Sequence, residues 1–223
     1  IPQDYEVATG LNKVSKHQYA GKNFHELVDC PLIASNTLQH HSYHQNGVEF
    51  HLWFQGECKP DWKLLETDFR KFSKVQIDAF GDFPTQEYHF LFQILTHKAF
   101  HGVEHYNSTV ILLGPSYDIM NKEGWYEELL GVSCHELYHT WNVKQIRPIE
   151  MSPYNYSKEN YTELGYLDEG VTTYYGDKYL LTSGVFNWEQ YAKTFNQLLS
   201  RHYNNFGVNN YSVAQSSFDT WLD

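Results

Sequence analysis

The chain has 223 residues, enough for one large domain with a substantial core, and its 16 Lys and Arg stand against 27 Asp and Glu, for a formal charge of −11. That balance repels a phosphate backbone over most of the surface and argues against nucleic acid as a partner. No apolar run approaches the roughly 18 residues of a membrane span, and three cysteines (Cys30, Cys58, Cys134) at unpaired spacing make no disulfide framework.

Residues 1–25 show little periodicity and read as an irregular lead-in, or as the end of a preceding domain. The first residue is Ile1 rather than Met, which suggests a processed chain or an excised segment and leaves the compartment open, cytoplasmic or exported. "HELVDCPLIAS" is an apolar run interrupted by Pro31. "TLQHHSYHQNGVEFHLWFQG" is two strand-like runs about Asn46-Gly47, the strongest short hairpin signal. Next, "DWKLLETDFRKFSKVQIDAFG" places Trp62, Leu65, Phe69, Phe72 and Val75 or Ile77 at helical spacing, with Asp61 as N-cap and Gly81 as stop. "EYHFLFQIL" and "NSTVILLG" follow as strands. From residue 125 the pattern turns helical, in "WYEELLGVSCHELYHTWN", "LDEGVTTYYGDKYLLTSG" and "NWEQYAKTFNQLLSRHYN". The layout is α+β, with a β-rich part over residues 26–115 and a helical part over 116–223.

Within the first of these helices, "SCHELYHTWN" sets His135 and His139 one turn apart on one side, so both imidazoles reach a single metal ion. Glu136 lies about 100° round the helix, too far to join them as a ligand but placed to act as general base on a water beside the metal. Thirteen histidines raise the chance of coincidence, yet this composition predicts only about 0.05 such His-Glu-x-x-His matches. A catalytic zinc needs a third protein ligand and keeps a fourth position open. "YLDEGVTTYY" supplies Glu169 at the start of the next helix, with Asp168 as the alternative; alone, either would read as an acidic residue in a helix's first turn. Gly170, with no Cβ, is expected to let that helix approach the first closely.

Together, "HELYHTWNVKQIRP" and "LDEGVTTYYGD" resemble the glycyl aminopeptidase family of zinc metallopeptidases, in the gluzincin group. The pattern H-E-x-x-H-x-W-N-x-K-x-x-R-P is complete from His135 to Pro148. "ELVDCPLIAS", "HGVEHYNSTVILL" and "YSVAQSSFDTW" are similar to the family's entry strand, substrate-edge strand and closing segment. The resemblance implies His135, His139 and Glu169 as ligands of one Zn2+ per chain, Glu136 as base, and a thermolysin-like catalytic domain over residues 26–223. In that family such a domain usually lies between a β domain and a PDZ domain, for which this chain has no room. It also implies an aminopeptidase acting on peptides with small N-terminal residues, Gly or Ala. The alternatives are a gluzincin endopeptidase and a non-catalytic, zinc-containing peptide-binding module, the latter disfavoured by the complete set of ligands and base.

An exopeptidase must hold the free α-ammonium at a fixed distance from the metal. In "HGVEHYNSTV", strand alternation puts Gly102, Glu104 and Tyr106 on one face; Glu104 is the candidate amine anchor, and Gly102 leaves room for a substrate backbone at a strand edge. The stretch is similar to the G-x-M-E-N strand of the alanyl aminopeptidases and to the G-G-x-E-H of the glycyl family, with His101 in place of the first glycine. A helical metal stripe of His97, His101 and His105 is disfavoured by Gly102 and the β-branched run that follows. His40 and His44 share a face of the hairpin and read as a solvated strand surface. An oxyanion partner is required; Tyr174, Tyr175 and Tyr211 are candidates among 18 tyrosines. Asp177, two turns after Glu169, is either a partner orienting a ligand histidine or a solvated helix acid. Trp141, Asn142 and Arg147 read as structural. Oligomeric state is not legible in the sequence.

Overall fold

A computed structural model describes residues 1–222. The stretch expected to be irregular contains three short strands, β1 (Glu6–Thr9), β2 (Asn12–Ser15) and β3 (Gln18–Ala20). Strands this short carry too few alternating positions to show a period; pairing makes them strands. β2 pairs with β3, and β1 pairs with β4 (Leu32–Ser35), so the opening residues are tied to the segment that follows. Between them, "FHELVD" forms a one-and-a-half-turn helix, α1 (Phe24–Asp29), because the Asn23 side chain accepts from Glu26 N–H as its N-cap. Only the residues after Pro31 are strand.

The hairpin forms as expected: β5 (Gln39–Gln45) and β6 (Val48–Gln55) flank Asn46 and Gly47, both at positive φ, 51° and 81°, the left-handed pair that matches strand twist. The next helix also forms where the sequence places it. α2 (Trp62–Phe80) starts with the Asp61 carboxylate accepting from Leu64 N–H and stops at Gly81, φ 91°. β7 (Glu87–Ile94), β8 (Ala99–Glu104) and β9 (Ser108–Gly114) complete a five-stranded sheet of order β5-β6-β7-β9-β8. β6, β7 and β9 run parallel, while β5 and β8 are antiparallel to their neighbours. β8 is an edge strand.

One face of the sheet, with Phe50, Phe54, Phe90 and Phe92, packs on Leu65, Phe69 and Phe72 of α2, all fully buried. This aromatic layer is the core. α3 (Trp125–Tyr138) lies across the same face beside β8 and β9, followed by α4 (Thr172–Thr182), α5 (Trp188–Tyr203) and the short α6 (Val213–Phe218). No helix among the described residues is long and apolar enough to cross a membrane.

The other face carries histidines. His40 stacks on Trp53 with ring centroids 3.7 Å apart, and its Nε2 lies 3.0 Å from His51 Nδ1; His41 points the other way, to Glu66 of α2 at 2.7 Å. His89 is buried there, with Trp53 Nε1–H donating to its Nδ1 at 3.2 Å. Burial, with His51 and His40 adding, pushes His89 down to about 3. The folded chain therefore binds fewer protons than the unfolded chain, whose histidine titrates near 6.5. Stability from this group is complete above that value and is lost as pH falls from it toward 3, with a slope approaching about 1.4 kcal/mol per pH unit. Urea midpoints taken between pH 7 and pH 4 are expected to shallow by that slope in His89→Gln; equal slopes in the two proteins would refute the assignment.

Candidate active site

His135 sits in the last turn of α3 and His139 is its C-cap, still in right-handed helical geometry (φ −60°, ψ −18°). The one-turn spacing expected of an uninterrupted helix is thus kept. Their Nε2 atoms are 3.0 Å apart, and Glu169 Oε2 lies 3.3 Å from the first and 3.6 Å from the second. Glu169 does not come from an α-helix. Tyr166–Val171 form a π-helical turn that runs into α4, and such wide turns often mark functional sites. Of the two acids in it, Glu169 reaches the histidines, while Asp168 is buried.

Asn142, read from sequence as structural, joins the two segments that bear these groups. Its carbonyl accepts from His139 Nδ1–H at 2.7 Å, and its Nδ2 donates to the carbonyls of Leu167 and Asp168 at 3.0 and 3.1 Å and to Thr172 Oγ1 at 3.0 Å. A carbonyl can only accept, so a His139 proton is held on Nδ1 and Nε2 is the nitrogen left to face a metal. That is the tautomer a metal ligand needs. Two imidazoles and a carboxylate converging in this way suit Zn2+ with one position left open. His135, His139 and Glu169 therefore fit the ion.

A second His/Glu group, His51, Glu87 and His89, also lies close together. Its two rings are stacked 4.4 Å apart at 9°, so their in-plane lone pairs run side by side instead of converging.

Glu136 is buried at 4% exposure, with Thr109 Oγ1–H donating to its Oε2 at 3.3 Å. A carboxylate oxygen of Glu136, one of Glu104 and a ring nitrogen of His139 lie within 4.8 Å of one another. Gly102 faces the same carboxylate: a Cβ there would stand 2.1 Å from Glu136 Oε1. Burial pushes the Glu136 carboxyl up to about 8, opposed by His139 and reinforced by Glu104 and Glu169. Burial alone would lower His139, but Glu169 first, then Glu104 and Glu136, raise it to about 9. Glu169 is held well below the carboxylate range: the histidine bonds outweigh its burial. The site is an acid-rich pocket that a divalent cation would neutralise.

Two cavities flank it. One, of about 420 Å³, contains Gly102, Val132, His135, Glu136 and Asp177 and extends to Arg201 of α5; the other, about 400 Å³, opens beside Glu104 and Glu169 toward Met151, Tyr166 and Trp221. Asp177 makes no hydrogen bond to His135 or His139 among the described residues; burial and Glu128 raise it to about 6 against the pull of Arg201. The Nδ1 of His135 instead faces Thr173 Oγ1 at 3.5 Å. Tyr175 stacks on Tyr138, Tyr174 lines a groove with Tyr191 and Phe195, and Tyr211 is exposed ahead of α6.

The close helix approach expected at Gly170 occurs elsewhere. A Cβ at Gly170 would meet nothing within 4 Å, whereas one at Gly176 would come within 3.2 Å of His135 Cα. Gly176 sets the spacing of α3 and α4. Trp141 stacks on Phe80 at 4.4 Å and donates to the Asp82 carbonyl, fixing the end of α3.

Residues 128–223 match the model of the M61 glycyl aminopeptidase family. Among solved structures, an aminopeptidase N family protein from Idiomarina loihiensis superposes with a TM-score of 0.90 at 31% identity, over 97% of this chain and 38% of that one. An M1 zinc metallopeptidase from Deinococcus radiodurans matches with a TM-score of 0.58 at 16% identity, over 89% of this chain and 43% of that one. A mutant of the Deinococcus enzyme bound to a Tyr-Ser-Ala substrate gives 0.57 at 17%, with the same coverage. These last two speak to the fold alone. The chain spans less than half the length of each of these proteins. No curated protein matches it.

Proposed function

The chain carries a peptidase domain of the M61 glycyl aminopeptidase type, and from that premise we propose that it is a zinc-dependent aminopeptidase with a thermolysin-like catalytic domain, removing small residues, Gly or Ala, from the N terminus of peptides. The observation that carries this reading is that carboxylate oxygens of Glu136 and Glu104 lie within 4.8 Å of each other and of a His139 ring nitrogen, which suits a base, an amine anchor and a metal ligand acting on one peptide bond. His135, His139 and Glu169 would hold one Zn2+, which when bound would supply a Lewis acid to polarise the scissile carbonyl and acidify water. Glu136 takes the proton of the attacking water and returns it to the leaving nitrogen. Thr109 holds the carboxylate of Glu136 in place. Glu104 pairs with the α-ammonium, so that only the first peptide bond comes within reach of Glu136. The free edge of β8 offers backbone groups to an extended peptide.

The presence of a cavity on each side of the site also suits an endopeptidase, through which a chain would run. Assays of Ala-peptides with free and N-acetylated termini separate the two readings. The free peptide is expected to be preferred, and Glu104→Ala to lower kcat/KM on it by about thirtyfold, the worth of one charge-assisted bond of roughly 2 kcal/mol. Equal cleavage of both peptides by the unaltered protein would sink the aminopeptidase reading.

A further inference from the structure

Asp29, the last residue of α1, lies between two segments remote from it in sequence. Its Oδ2 accepts from Tyr106 N–H at 2.7 Å, two residues past Glu104, and its Oδ1 lies 3.2 Å from Lys144 Nζ. Lys144 follows the metal helix directly, its N–H donating to the His139 carbonyl at 3.0 Å. Among the described residues this is the one Lys or Arg ion pair whose cation is buried: the Lys144 side chain is 6% exposed, and the others range from 38% to 74%. His105 Nδ1 stands 3.7 Å from the same carboxylate oxygen.

The turn after Glu104 is held from further points as well. Thr109 Oγ1 lies 3.0 Å from the Val103 carbonyl, just before Glu104, and its one hydroxyl proton is shared between that carbonyl and Glu136 Oε2. Asn107 Nδ2 donates to the Gly10 carbonyl at 2.8 Å, where no larger residue than glycine fits. Yet among the described residues only Asp29 bonds both the strand end and the loop leaving the metal helix. A half-buried carboxylate, its side chain 16% exposed, that holds a buried cation and a backbone donor is a firm link, since loss of its charge leaves the Lys144 ammonium without its partner.

We infer that the Asp29–Lys144 pair is a positioning device that sets the distance between Glu104 and the His135/His139 site, and thereby restricts the enzyme to the first residue of a peptide. This rests on the aminopeptidase reading. Asp29 touches no substrate; it acts through Tyr106 and Lys144. The tool is the isostere Asp29→Asn, which keeps an acceptor for Tyr106 N–H but drops the charge, with Lys144→Met as the second variant. Each is assayed on Ala-peptides with free and N-acetylated termini, and the affinity for alaninamide is followed by NMR titration of the same zinc-free proteins. The expected result is a loss of roughly 30- to 100-fold in kcat/KM on the free peptide, with slow cleavage of the acetylated one changed less than about twofold and alaninamide binding weakened in parallel. A general structural role would lower both substrates alike; that result, or an unchanged ratio with unchanged alaninamide binding, overturns the inference while leaving the aminopeptidase reading intact. If the unaltered protein cleaves both peptides equally, the aminopeptidase reading and this inference fall together.

Discussion

Glu136→Gln is expected to abolish peptide hydrolysis, lowering kcat by about 10³-fold, while zinc content and fold stay as they were. The size follows from the role: general acid-base catalysis by a positioned side chain contributes 10²- to 10⁴-fold, and no other carboxylate stands where Glu136 does. Glu104 also lies close, but it belongs to the edge strand and is the proposed partner of the amine. Glutamine keeps the shape of the buried side chain and an oxygen to accept from Thr109 Oγ1–H, so the pocket has no reason to collapse. Removing a carboxyl that burial pushes up to about 8 also relieves an electrostatic cost of the zinc-free state. The thermal midpoint of the apo protein is therefore expected to hold or rise. Steady-state kinetics, atomic absorption and a thermal melt on the same preparation decide the matter. Activity retained in the variant would remove Glu136 from the mechanism.

Local signals carried most of what the sequence revealed. Asn46-Gly47 and the Asp61 to Gly81 helix were readable because each depends on neighbours within a few residues: two left-handed positions in one case, a cap, a period and a stop in the other. His135 and His139 were readable for the same reason, since one helical turn brings them together. Glu169 could be placed in the next helix, but its π-helical turn could not be foreseen: six residues do not distinguish a 3.6-residue period from a wider one. What stayed hidden is what the chain makes at long range. Asn142 reads as structural, but which segments it joins, those of His139 and Glu169, could not be read, and Asp29 gave no signal at all because its partners are 77 and 115 residues away. Gly170 and Gly176 show the same limit, since a pattern contains both glycines but not which of them the facing helix touches.

Gly102→Ala is the second large effect expected, and it tests the geometry of the base without touching its chemistry. The added methyl group would lie 2.1 Å from Glu136 Oε1 and 2.9 Å from Val132 Cγ2, closer than real contacts allow. The backbone of β8 cannot retreat freely, because its whole length is paired with β9 from Ala99↔Gly114 to Glu104↔Thr109. Glu136 is the group that yields: its carboxylate swings away from β8, and its bond with Thr109 breaks or lengthens. Because a side-chain end can move more cheaply than a strand, stability is expected to fall by only about 1–2 kcal/mol. Activity falls far more, by about 10²-fold in kcat, since a base displaced by an ångström no longer meets the proton it must take. KM for a free-amine peptide stays within a few-fold, because Glu104 keeps its place in the strand. His135, His139 and Glu169 are untouched, so the zinc content of the purified variant is expected to equal that of the unaltered protein. Gly102→Ala protein with unaltered kcat would show that Glu136 has slack in its pocket, and that the close fit of β8 against α3 does not hold the base where catalysis needs it.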